Sequence, residues 1–194
     1  MPILHAPILE QAGFSIGGVA PEPAINYVAR LEPVAGQYWQ LSEPIPINEG
    51  YEIYFTFVNN GYQSSSYLLC SNDNTDTGLF TNPSDGRLLT SGNTSITIDV
   101  DGMGNNVETY DGLPHEITIE VLGGGSFQKL ASRFNGVRTL SGWIKSLVVR
   151  DELGNVVNEI PLTNKEQGAT QLATVGDVNA FMPNYSSDVW EVAP

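Results

Sequence analysis

Between residues 51 and 58 the chain alternates strictly, with Tyr51, Ile53, Phe55 and Phe57 on one side of an extended backbone and Glu52, Tyr54, Thr56 and Val58 on the other. The pattern predicts a strand with one buried face and an amphipathic outer face. A period of two returns at residues 94–100, where Ile96, Ile98 and Val100 alternate with Ser95, Thr97 and Asp99, and at residues 115–122, where a strand led by His115 carries Ile117, Ile119 and Val121. Residues 143–150 and 156–162 predict a further pair of strands, residues 66–70 and 87–90 shorter ones, and residues 170–175 and 188–192 weaker ones. The step Asn59-Asn60-Gly61 predicts a hairpin joining 51–58 to 66–70, and Asp101-Gly102 a turn closing 94–100. Gly123, Gly124 and Gly125 end the strand before them, while residues 71–84 read as one polar loop.

Ten to twelve short strands with turns at close intervals predict an all-β sandwich or barrel. No stretch of ten or more residues carries a helical apolar stripe between strands, which excludes a doubly wound α/β fold. Residues 1–35 show neither period and are rich in Pro and Gly. They are expected to form an N-terminal arm followed by an edge strand, with the sandwich domain over 36–194. Such an arm gains burial either by docking on a neighbouring subunit or by wrapping its own domain.

The chain has 194 residues, 41% of them hydrophobic, which suits one core. Its net charge of −14 is unevenly spread: up to residue 128 there are 15 acidic residues against Arg30 and Arg87, and after it 7 against 6 bases. A surface of this sign repels phosphate backbones and no basic stripe offsets it, so nucleic acid is not an expected partner. Solubility accounts for the acidity, and binding of a cation or a basic partner is the alternative. Cys70 is the only cysteine, so no intrachain disulfide forms, and its apolar neighbours predict a small core residue. No run of 18 apolar residues and no basic N-terminal leader occur, so neither a membrane span nor a signal peptide is expected.

The turn Val100-Asp101-Gly102, the strand led by His115, the Asn135-Gly136 turn after Phe134 and the Gly142-Trp143-Ile144 strand together resemble the concanavalin A-like lectin/glucanase superfamily. They are most similar to its laminin-G-like jelly rolls in bacteriophage tail and particle proteins, and residues 184–190 are similar to the closing segment of several of these. The resemblance covers roughly residues 37–192 and rests on fold markers. It implies a two-sheet antiparallel jelly-roll sandwich with ligands on a concave face or at rim loops. It also implies a non-enzymatic virion protein, in capsid decoration or a tail, made in the host cytoplasm. The partners then expected are other virion subunits, further copies of the chain and a surface glycan.

Family glucanases carry two Glu and a central Asp at alternate positions of one strand. Here the matching positions hold Glu116, Thr118 and Glu120, so the central carboxylate is missing, and glycoside hydrolysis by Glu116 and Glu120 is the alternative to a binding role. Asn72, Asp73, Asn74 and Asp76 crowd one loop with oxygen donors and are candidate Ca²⁺ ligands, although their spacing is not that of an EF-hand and Asx-rich turns form without metal. No other cofactor is implied. A sugar site needs an aromatic platform beside amide and carboxylate groups. Asn60, Tyr62 and Gln63, and Asn106, Tyr110 and Asp111, offer that mixture in two loops, where the tyrosines would otherwise serve packing. No nucleophile elbow or phosphate loop is present.

Overall fold

A computed structural model describes residues 25–61, 65–71, 78–92 and 95–193. Most of the expected arm (residues 1–24), Tyr62, Gln63 and the candidate metal ligands Asn72, Asp73, Asn74 and Asp76 lie outside the described residues.

The described strands are β1 (Tyr27–Ala29), β2 (Trp39–Ile47), β3 (Glu52–Asn59), β4 (Tyr67–Cys70), β5 (Gly78–Thr81), β6 (Leu88–Ser91), β7 (Ile96–Val100), β8 (Pro114–Val121), β9 (Gly125–Leu130), β10 (Gly142–Arg150), β11 (Val156–Ile160), β12 (Thr170–Gln171), β13 (Ala180–Phe181) and β14 (Trp190–Val192). One sheet of five strands runs β11-β10-β3-β8-β7, and one of seven runs β12-β13-β2-β9-β4-β5-β6. β1 pairs with β14 apart from both. Every described strand pair is antiparallel.

The alternation explains the sandwich. Ile53, Phe55 and Phe57 of β3 and Ile117 and Ile119 of β8 face inward and meet Trp39, Leu41, Phe127 and Leu130 from the facing sheet in one continuous core. Trp190 packs on Trp39 with ring centroids 6.5 Å apart, which holds the end of the chain against that core. Val28 of β1, with Val58 and Trp143, forms a small second cluster on the outer side of β3 and β10. Cys70 is fully buried, as its neighbours predict.

Two local expectations change. The turn at Asn59-Asn60-Gly61 exists, with Asn59 Oδ1 accepting from the Gly61 N–H, yet it does not close a hairpin: β3 belongs to the five-stranded sheet and β4 to the other. All four residues of β4 are buried and Leu69 pairs with Leu130, so β4 gains more between β9 and β5 than beside β3. The polar loop 71–84 contains β5, whose Leu79 is buried between turn-forming flanks. β2 and β9 break the simple alternation. β2 carries Pro44 and Pro46 and slips register between Gln40 and Ile45, beyond which its paired residues meet β9 alone, so a proline there removes no ladder bond to a second neighbour.

Candidate functional site

The outward face of the five-stranded sheet gathers polar side chains in rows. Lys145, Thr56 and Glu116 are direct cross-strand partners, as are Val148, Tyr54, Thr118 and Asp99 in the next row and Arg150, Glu52, Glu120 and Thr97 beyond it. β1 covers one end of this face through Val28, while Tyr54, Thr56, Thr118 and Val148 remain part-exposed. β10 slips register between Lys145 and Val148, where Ser146 takes φ 59° and its N–H donates to Pro161 O. The bulge gives the face a shallow groove of about 310 Å³ lined by Tyr54, Thr56, Glu116, Thr118, Ser146 and Arg150. The Tyr54 hydroxyl donates to Glu52 Oε2, and the Arg150 guanidinium lies over the Tyr54 ring, 5.4 Å from its centroid. Burial, followed by the hydrogen bond and charge of Glu52, raises the Tyr54 phenol above its ordinary value.

Glu116 and Glu120 are both exposed on β8. Four residues of strand separate their Cα atoms by about 13 Å, whereas a retaining pair needs its carboxyl groups about 5–5.5 Å apart. The nearer carboxylate to Glu120 is Glu52, directly opposite on β3. Sequence reading along one strand misses that pairing, although the outer-face alternation of residues 51–58 carries its signal.

At the rim beside this sheet, residues 59–61 meet residues 108–113. The Tyr110 ring lies on Gly61 and Gly86, where a Cβ on Gly86 would stand 2.6 Å from it, and its hydroxyl is 3.1 Å from Thr81 Oγ1. Asn60 is exposed, with Oδ1 3.4 Å from where a Cβ of Gly112 would be. The structure therefore brings Asn60, Tyr110 and Asp111 together and uses much of the Tyr110 ring for packing. Asn106 is exposed on the same loop as Tyr110.

Asp111 has a further partner. His115, buried and against the Phe57 ring, places Nε2 3.0 Å from Asp111 Oδ1 and Nδ1 2.7 Å from Asp101 Oδ2. Asp101 Oδ1 accepts from the Glu116 N–H, and Asp111 Oδ1 also accepts from the Leu113 N–H. An imidazole donates to both carboxylates only when protonated. Burial opposes that charge, but the hydrogen bonds and charges of Asp101 and Asp111 outweigh it and His115 is held above its ordinary value. Burial is the largest single influence on Asp111 and acts to raise it, but the Leu113 and His115 hydrogen bonds and the His115 charge together outweigh it and hold the carboxyl below its ordinary value. The cluster clamps both ends of the loop 101–113 onto β8. Its two imidazole nitrogens face opposite ways, and among the described residues no group of His, Cys, Asp and Glu has the arrangement of a metal site.

No family model, curated protein or solved structure matches this chain.

Proposed function

We propose that this chain is a non-catalytic β-sandwich module that acts by adhesion. The groove on the five-stranded sheet takes a glycan, and the module serves as a structural component of a virus particle, in capsid decoration or a tail, in contact with further copies and other subunits. The observation that carries the glycan reading is the groove's composition. A part-exposed tyrosine stands among the hydroxyls of Thr56, Thr118 and Ser146 and the charges of Glu116 and Arg150. A pyranose, with one apolar face and a polar rim, calls for this mixture. The place in a particle rests on the resemblance of residues 100–102, 115–121, 134–136 and 142–144 to turns and strands of phage jelly rolls, a resemblance of sequence alone. A glycan array probed with the full chain tests the first part: signal on a defined glycan class should fall at least tenfold in Tyr54→Ala, and an array silent throughout would overturn it. Sedimentation with and without particles tests the second, and a strict monomer that ignores particles would overturn that.

The facing carboxylates of Glu52 and Glu120 favour a second reading, glycoside hydrolysis. Directly opposed residues place their Cβ atoms about 4.5–5.5 Å apart, within reach of a retaining geometry. Turnover of β-glucans that is lost in both Glu52→Gln and Glu120→Gln would establish it. Loss in Glu116→Gln and Glu120→Gln with Glu52→Gln active would assign the chemistry to the pair on β8.

A further inference from the structure

Gly123, Gly124 and Gly125 are glycines that neither backbone nor packing requires. None has a positive φ, and a Cβ added to any of them would meet nothing closer than 3.7 Å. Gly142 and Gly86 are different, for there a Cβ would stand 2.0 Å from Val58 O and 2.6 Å from the Tyr110 ring. Gly123 and Gly124 in the connection from β8 to β9, and Gly125 at the start of β9, leave that corner without side chains where larger residues would fit.

That connection borders a cleft of about 280 Å³ between the two sheets. Ile53, Ile96 and Ile119 line it from the five-stranded sheet, and Ile47, Leu79 and Phe127 from the other. Its described lining includes no charged side chain, and Ser71 and Ser126 supply its only side-chain hydroxyls. An enclosed cavity of about 150 Å³ walled by Leu, Ile and Phe admits benzene, and this cleft, which is partly open to solvent, has roughly twice that volume. An anionic head group finds no basic lining here and a chain of net charge −14 around it.

We propose that this cleft binds a neutral apolar small molecule, with a two-ring aromatic or medium-length aliphatic group, admitted past the side-chain-free segment Gly123, Gly124 and Gly125. The site is separate from the groove on the outer sheet face and does not depend on it. The probe for the test is N-phenyl-1-naphthylamine, titrated into the full chain and followed by its fluorescence. Saturable one-to-one binding that decanol displaces is expected. Gly124→Leu and Gly125→Leu, whose Cβ atoms have open space, should keep the wild-type thermal midpoint and lose at least tenfold in probe affinity. In methyl NMR of the wild-type chain, the probe should shift Ile53, Ile96 and Ile119 and leave Ile144 and Ile160 unmoved. Absence of saturable binding, equal affinity in folded Gly124→Leu and Gly125→Leu, or methyl shifts away from the cleft would each overturn the proposal.

Discussion

Gly142 and Gly124 both lack a side chain but differ in what that lack does. Gly142 sits at φ 146°, with Val58 O 2.0 Å from any Cβ, so Gly142→Ala should destabilise by about 3 kcal/mol or more, read from denaturant midpoints. Gly124→Ala meets open space and should be neutral or stabilising by about 0.5 kcal/mol, through the unfolded chain. His115 gives a pH-dependent counterpart. Its raised value means that its contribution is complete below the unfolded imidazole value of 6.5 and disappears as pH rises through the folded one. Asp111, lowered, contributes fully above its unfolded value of 3.8 and loses that contribution as pH falls through the folded one. The stability difference between the wild-type chain and His115→Gln should therefore be largest between pH 3.8 and 6.5 and shrink on both sides, in urea titrations across pH. A difference that grows above neutrality would show that the clamp does not use the imidazolium.

β3 and β8 form a ladder whose outer face sets Glu52 against Glu120, with Arg150 across β3 on the far side of Glu52. Like charges directly opposite on a sheet destabilise it by a few tenths of a kcal/mol to about 1 kcal/mol. Glu120→Lys should accordingly raise stability by about 0.5 kcal/mol at low salt, an increment that fades toward 1 M salt as screening shortens to about 3 Å. A loss of stability instead would mean that Glu120 has a favourable role which its exposed position does not suggest. Three of the four sheet margins are blunted: β12 has two residues, β6 has four, and an isolated bridge from Val175 to Glu159 lies along β11, while β7, with five residues, is the longer margin paired only to β8. Short or covered margins discourage strand-to-strand association, which leaves β7 as the margin where a further strand would add.

The end of the chain closes the whole molecule. β14 pairs with β1, and Trp190 stacks at a tilt on Trp39, itself fully buried in the core. Removing residues 187–194 strips both, and stability should fall by at least about 3 kcal/mol, as for deletion of a buried Trp side chain. The check is thermal unfolding followed in parallel by Trp fluorescence and far-ultraviolet circular dichroism. A shortened chain with an unchanged midpoint would show that β1 and β14 are appendages. Antiparallel partners such as β2 and β9 join residues far apart in the chain, so refolding in milliseconds to seconds is expected from stopped flow.

Alternation along the chain was enough to place β3, β7, β8, β10 and β11 and to sort the residues of β3, β7 and β8 into inner and outer faces, because burial of one sheet face imposes a period of two on adjacent positions; in β10 the bulge between Lys145 and Val148 breaks that period. The same local signal marked Cys70 and the inward isoleucines as core. It did not assign β4 to the opposite sheet, find β5 within a polar loop, or oppose Glu52 to Glu120. Those outcomes depend on cross-strand partners distant in sequence: alternation puts Glu52 and Glu120 on outer faces, but it does not say which strands pair or in what register. Packing decided likewise that Tyr110 rests on Gly61 and Gly86 and that Asp111 joins His115 in a clamp. In the sequence, Gly123, Gly124 and Gly125 read as the end of a strand. Only the closing of two sheets around Ile53, Ile119, Leu79 and Phe127 turned their missing side chains into the border of a cleft.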